Sequence, residues 1–238
     1  MKSYISKQVE CRTIDNNRKS MQKVSVASNS IIQFAPHEIK TEAEIKELSL
    51  AQLSFFVSES IRKDLYKDFS PIYWNETYVN YDDTALMRKL KNQLKIKQQK
   101  ENTLVLYEYM IGETDGKIVY PGLDSCLGIT VIKNTAEKRM KKGAHLVIPT
   151  EDTATDKYQS LIGELYDFAN PFGEDIEIKI SCKDIEMIDI HRSAILGKIQ
   201  NEFYEKFNKL IKKGKTITGT DLTLAATLYK TETIHTVE

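Results

Sequence analysis

The sequence predicts one mixed α/β domain, of the α/β (α+β) class. Three observations predict it. Two amphipathic helical patterns come first, strand-type runs begin near Thr103, and strands and helices then alternate to the end. A length of 238 residues suits one large domain with an extension.

Residues 1–35 are rich in Lys, Asn, Ser and Gln and carry no sustained periodicity, the composition of a disordered leader. Residues 36–102 form the expected helical extension packed on the core. Within it Thr41-Glu42-Ala43-Glu44 has the spacing of a capping box, and Ile45, Leu48, Leu53, Phe56, Val57 and Ile61 follow at helical spacing. An aromatic loop, Pro71 to Tyr78 with Trp74 at its centre, comes next. Thr84 or Asp83 then caps a basic helix ending near Gln99, with Leu86, Leu90 and Leu94 as its apolar stripe.

Residues 103–238 read as a second region, in which strands and helices alternate. Leu104 to Ile111 is a buried-strand type of run, and Glu113-Thr114-Asp115-Gly116 turns the chain into the strand Lys117 to Tyr120. Cys126 to Ile132 and His145 to Ile148 are two further strands, joined through a basic turn at Lys138–Lys142. Asp152 or Thr153 opens a helix carrying Tyr158, Leu161, Ile162, Leu165 and Phe168. Ile176 to Ile180 alternates as a half-buried strand does. One long helix from about Arg192 then carries Ile195, Leu196, Ile199, Phe203, Phe207 and Leu210, with Gly214 as its stop. Strand-like segments close the chain between Thr216 and Val237.

Composition removes several function classes. Thirty-four basic side chains balance 34 acidic ones, so net charge calls for neither nucleic acid nor an anionic membrane. No apolar run approaches the roughly 18–20 residues of a spanning helix, and the N-terminus lacks the apolar region of a Sec signal peptide. The cysteines are Cys11, Cys126 and Cys182, too few for a disulfide framework. Neither a Cys-x-x-Cys nor a His-x-x-x-His spacing occurs, so no metal site is expected. Gly-rich phosphate loops are missing too, and no cofactor is expected.

The candidate chemistry lies at Cys126 and His145. A catalytic cysteine must attack as the thiolate, which a nearby imidazole favours, and that imidazole needs a third group to orient it. An oxyanion needs backbone N–H donors, and Pro121-Gly122-Leu123-Asp124-Ser125-Cys126 offers a tight turn in which Gly122 permits an unusual backbone angle. Placing Cys126 and His145 at the starts of neighbouring antiparallel strands would set both at one rim of a sheet. On spacing alone, a small buried cysteine and a satisfied core histidine remain the ordinary alternative. Cys11 and Cys182 read as structural or incidental, and His37, His191 and His235 match no partner pattern.

Leu123-Asp124-Ser125-Cys126, an apolar strand, and then Gly143-Ala144-His145-Leu146-Val147-Ile148-Pro149 resemble the core of the CheD-type glutamine deamidases. Those carry a Leu-Gly-Ser-Cys segment, a strand, and a later G-x-x-H-x-x-L-P stretch. The cytotoxic necrotizing factors and the Burkholderia lethal-factor deamidase have a related Leu-Ser-Gly-Cys segment and a following histidine. The resemblance covers about residues 103–238 and implies a core of that fold, a mixed β-sheet sandwich flanked by helices, with Cys126 as nucleophile and His145 as base. It implies Ser125 and Asp124 at the oxyanion side through their backbone. This sequence departs from the pattern at Asp124, where Gly or Ser is usual, and at Tyr120, where two of the families place Thr. Tyr120 is therefore the weak candidate for third member, with the Val119–Tyr120 backbone as substitute, because the necrotizing factors orient their histidine with a carbonyl.

A second resemblance concerns the leader. Asp15-Asn16-Asn17-Arg18, Gln22, Asn29 and Ile31-Ile32-Gln33 are similar to leaders of toxins loaded into contractile injection particles. Together the two resemblances imply a bacterial effector, injected without a Sec signal. In the target-cell cytosol it would convert a Gln of a partner protein to Glu. Two rivals remain. One is another cysteine enzyme (protease, transglutaminase or acyltransferase). The other is a non-enzymatic interaction module using the Trp74 loop and the basic helix.

Overall fold

The computed structural model describes residues 41–65, 84–149, 152–218, 222–225 and 231–238. The leader, Cys11, His37, the Trp74 loop and Asp83 lie outside them. Among the described residues are six helices and two mixed sheets. The helices are α1 (Glu42–Glu47), α2 (Leu50–Leu65), α3 (Thr84–Lys100), α4 (Asp152–Ala169), α5 (Glu186–Ile195) and α6 (Asn201–Lys213). The strands are β1 (Thr103–Val105), β2 (Ile111–Thr114), β3 (Lys117–Pro121), β4 (Leu127–Asn134), β5 (Arg139–Leu146), β6 (Ile176–Cys182), β7 (Lys215–Thr218), β8 (Leu222–Ala225) and β9 (Thr231–Val237). One sheet has the order β1-β3-β9-β8 and the other β2-β5-β4-β6-β7. The mixed α/β class expected from the sequence is the class observed.

The layers follow from which face of each strand is apolar. Ile45, Leu53, Phe56, Leu90 and Leu94 of the first three helices share a core with Val105, Val119 and Ile234 on the outer face of the first sheet. On the outer face of the second sheet, Ile129, Val131, Ala144, Ile178 and Ile180 meet Tyr158, Ile162, Leu165, Ile195, Phe207 and Leu210 of α4, α5 and α6. Between the sheets lie Leu106, Ile118, Tyr120, Leu123, Cys126, Ile132 and Val237. Strand alternation accounts for the sorting, because odd and even positions of β4 point to opposite layers.

Several local expectations hold. The Thr41 capping box forms: Glu44 N–H donates to the Thr41 hydroxyl (3.2 Å), and Thr41 N–H donates to the Glu44 carboxylate (2.7 Å). Helix α3 buries Leu86, Leu90 and Leu94, and α4 opens at Asp152. Gly122 has φ +75°, a conformation that favours glycine.

Four expectations need correction. The first helix is broken, because Ser49 and Gln52 form a second reciprocal cap that starts α2 afresh (Gln52 N–H to Ser49 Oγ, 3.2 Å; Ser49 N–H to Gln52 Oε1, 2.7 Å). The run Leu104 to Ile111 is two strands in two sheets, since Tyr109 takes φ +60° and the chain crosses between layers there. Lys138–Lys142 is not the hairpin turn. Thr135 closes that turn on Lys138 through both backbone and hydroxyl, and Arg139 onward belongs to β5. The long helix from Arg192 is two helices. Gly197 at φ +75° ends the run after α5, and the Gln159 side chain accepts from Gln200 N–H (2.6 Å) to start α6.

The two sheets are joined closely by Tyr120. Its ring lies over Gly128, where a β-carbon would come within 2.7 Å of the ring, and its hydroxyl sits against Gly143. The hydroxyl bonds the Thr130 hydroxyl (2.7 Å) and donates to the Ile129 carbonyl (3.2 Å). Gly143→Ala should therefore destabilise by about 1–3 kcal/mol through overpacking, and Tyr120→Phe by about 1 kcal/mol through the lost hydrogen bonds. The double variant should lose less than the sum, because the new methyl enters the space the hydroxyl leaves. Urea unfolding of the four proteins measures this coupling.

Candidate functional site

In the antiparallel pair β4–β5, Gly128 stands opposite His145 and Leu127 opposite Leu146. Cys126 directly precedes β4, and His145 is the penultimate residue of β5. The start of one antiparallel strand meets the end of its neighbour, so the two share a rim. The sequence expectation of two strand starts is corrected in this respect, since neighbouring starts would require parallel strands. Alternation puts Cys126, Gly128 and His145 on one face, the face turned to the first sheet. Extended by one residue beyond Leu127, that register makes Cys126 and His145 diagonal neighbours, a relation with a Cα spacing of about 7–8 Å. Cys126 is 2% exposed and His145 is fully buried, while Ser125 beside them is exposed.

His145 is held by the crossing between β1 and β2. Its backbone N–H donates to the Met110 carbonyl (2.9 Å), and its carbonyl accepts from Tyr109 N–H (3.0 Å). Its ring Nδ1 lies 2.9 Å from the Leu106 carbonyl. A carbonyl only accepts, so Nδ1 carries the proton and Nε2 presents the basic lone pair. The orienting carbonyl thus comes from Leu106, which corrects the expectation that the Val119–Tyr120 backbone supplies it. The left-handed Tyr109 that divides β1 from β2 is what leaves this segment beside the histidine.

Tyr120 meets His145 through its ring, edge-on at 6.0 Å between centroids. Its hydroxyl is engaged with Thr130 and Ile129, and burial pushes that phenol well above its ordinary range. Tyr120 therefore contributes packing to the imidazole rather than a bond to its nitrogen. Asp124 points its carboxylate to Lys183 (3.4 Å) on the exposed side of the loop. Ser125 contributes its carbonyl, which accepts from His191 Nε2 (3.1 Å).

His191 is the group that sequence reasoning passed over. It lies on the buried face of α5 with Ile188 and Ile195. The available signal was the spacing Ile188, His191, Ile195, which places a histidine on an apolar helical stripe. Tyr158 of α4 donates its hydroxyl to His191 Nδ1 at 3.3 Å. Ser181 is also brought in: it stands across Gly128 from His145 on β6, fully buried, and its hydroxyl has no hydrogen-bond partner among the described residues. Cys182, one residue on, faces the opposite layer. There burial, and then the Asp184 charge, pushes its thiol up to about 11. No group of three or more His, Cys, Asp or Glu among the described residues is placed to hold a metal ion. No described helix is long and apolar enough to cross a membrane.

No protein-family model matches the chain, and no curated protein matches it.

Burial pushes the His191 imidazole down to about 4, against the Ser125 hydrogen bond, which raises it; the charge of His145 lowers it further. The unfolded chain takes up this proton near pH 6.5, and the folded chain resists until about 4. Stability from this residue is therefore full above pH 6.5 and falls as the pH drops toward 4, by about 3 kcal/mol in all. Urea midpoints measured from pH 7 to pH 4 should show a steeper decline for the wild type than for His191→Gln.

Proposed function

We propose that this chain is a protein glutamine deamidase with Cys126 as nucleophile and His145 as general base and acid. The observation that carries the reading is the His145 Nδ1–H bond to the Leu106 carbonyl. It leaves Nε2 basic on the sheet face shared with Cys126. The likeness of the Leu123–Cys126 and Gly143–Pro149 segments to the deamidase pattern supports the same assignment.

The step would run as follows. His145 takes the Cys126 thiol proton, and the sulfur attacks the carboxamide carbon of a Gln side chain. The C–N bond breaks as His145 returns the proton to the leaving ammonia. Water, deprotonated by the same imidazole, then cleaves the thioester and leaves Glu. The Ser181 hydroxyl, without a partner among the described residues, can take up a hydrogen bond from the bound amide or water. The new carboxylate places a negative charge on the target, which changes its electrostatics as other charge-adding modifications do. The leader's likeness to injection-particle cargo supports delivery into a target cell, with a cytosolic protein as substrate.

Burial favours a second reading. A cysteine 2% exposed beside a fully buried histidine also fits a packed core, with the chain serving as an interaction module.

Incubation of the full chain with a eukaryotic cytosolic extract, followed by peptide mass spectrometry, should reveal Gln-to-Glu conversion at a few sites. Cys126→Ser and His145→Ala should each reduce that conversion by at least about a hundredfold, and Cys182→Ser should not change it. Intact, unmodified proteins would favour the interaction module, and cleaved peptides a protease.

A further inference from the structure

We propose that His191 is a positioning residue for the nucleophile: by holding the Ser125 carbonyl it fixes the plane of the Ser125–Cys126 peptide. It thereby sets the direction of the Cys126 N–H toward the oxyanion of acyl transfer. The proposal rests on the reading of Cys126 as nucleophile and extends it to a residue that lies 66 positions from Ser125 in sequence.

The geometry leaves His191 little freedom. The Ser125 carbonyl can only accept, so Nε2 carries the proton, and Nδ1 takes the Tyr158 hydroxyl proton (3.1 and 3.3 Å). Both side chains are fully buried, so neither bond is readily exchanged for one to water. The Tyr158 ring is itself set by Phe207 of α6 at 6.2 Å between centroids. Tyr158, His191 and the Ser125 carbonyl thus form a chain of two hydrogen bonds from the helical layer to the nucleophile loop.

That chain has a chemical consequence through the peptide unit. The only cis peptide bond among the described residues is Asn170–Pro171, so Ser125–Cys126 is trans. In a trans peptide the carbonyl and the following N–H point in opposite directions. A carbonyl pinned toward α5 therefore turns the Cys126 N–H away from that helix. Gly122 at φ +75° turns the loop upstream, and the Asp124–Lys183 pair holds its exposed side. His191 supplies the internal restraint. A preorganised backbone donor stabilises a tetrahedral oxyanion strongly and does nothing for a displacement that forms none.

Two probes of the full chain separate these effects. Iodoacetamide alkylates the Cys126 sulfur by displacing iodide, with no oxyanion. p-Nitrophenyl acetate is attacked at its carbonyl carbon, passes through an oxyanion, and expels p-nitrophenolate to leave an S-acetyl group. Peptide mapping assigns both adducts. His191→Leu should lower acylation of Cys126 by at least about tenfold, with alkylation unchanged within about twofold, and His191→Gln should recover most of the loss. Tyr158→Phe keeps the ring and should show the same selective loss to a smaller degree, which carries the test if His191→Leu does not fold. Equal loss of both reactions, or loss of neither, would overturn the positioning role. Wild-type Cys126 acylated no faster than Cys182 would instead remove the nucleophile reading, and this proposal with it.

Discussion

In an antiparallel pair the start of one strand and the end of its neighbour share a rim, and a residue's partner across the pair shares its face. The β4–β5 register, Gly128 opposite His145, puts Cys126 and His145 in that relation. A slip by one residue would turn one of them into the helical layer and separate the pair. The register is well determined. Ile129, Val131 and Ala144 are fully buried against the helices on one face, and Tyr120 fits over glycines on the other. The packing that makes the fold is the packing that brings the pair together.

Around that rim each polar group is held by a different layer. The β1–β2 crossing provides the Leu106 carbonyl and so selects the His145 tautomer. The first sheet provides Tyr120, whose ring buttresses the imidazole. The helical layer provides His191, which takes the Ser125 carbonyl. Each buried partner in this set costs desolvation and returns a fixed orientation.

Much of the fold was legible because local signals and tertiary packing agree there. The Thr41–Glu44 cap, the Leu86–Leu94 stripe of α3, the Tyr158–Phe168 helix and the Gly122 turn all carry their cause within a few residues. The errors lie where the cause is distant. Nothing within Leu104–Ile111 indicates that Tyr109 turns the chain from one sheet to the other. The helix break at Gly197 is stabilised by Gln159 from another helix. Reading α5 and α6 as one helix from Arg192 also hid His191, which falls one residue outside that range. That Cys126 and His145 share one rim of a sheet was legible from the strand pattern. Their backbone partners were not, because Leu106 lies 39 positions from His145 and His191 lies 66 from Ser125.

The central claim is that His145 activates Cys126, and the rate of Cys126 alkylation at neutral pH measures it most directly. With iodoacetamide and peptide mapping, Cys126 should react faster than Cys182 despite its burial. Replacing His145 by Asn should slow it at least about tenfold. A Cys126 as slow as Cys182, and indifferent to His145→Asn, would contradict the account and leave both side chains as parts of the core.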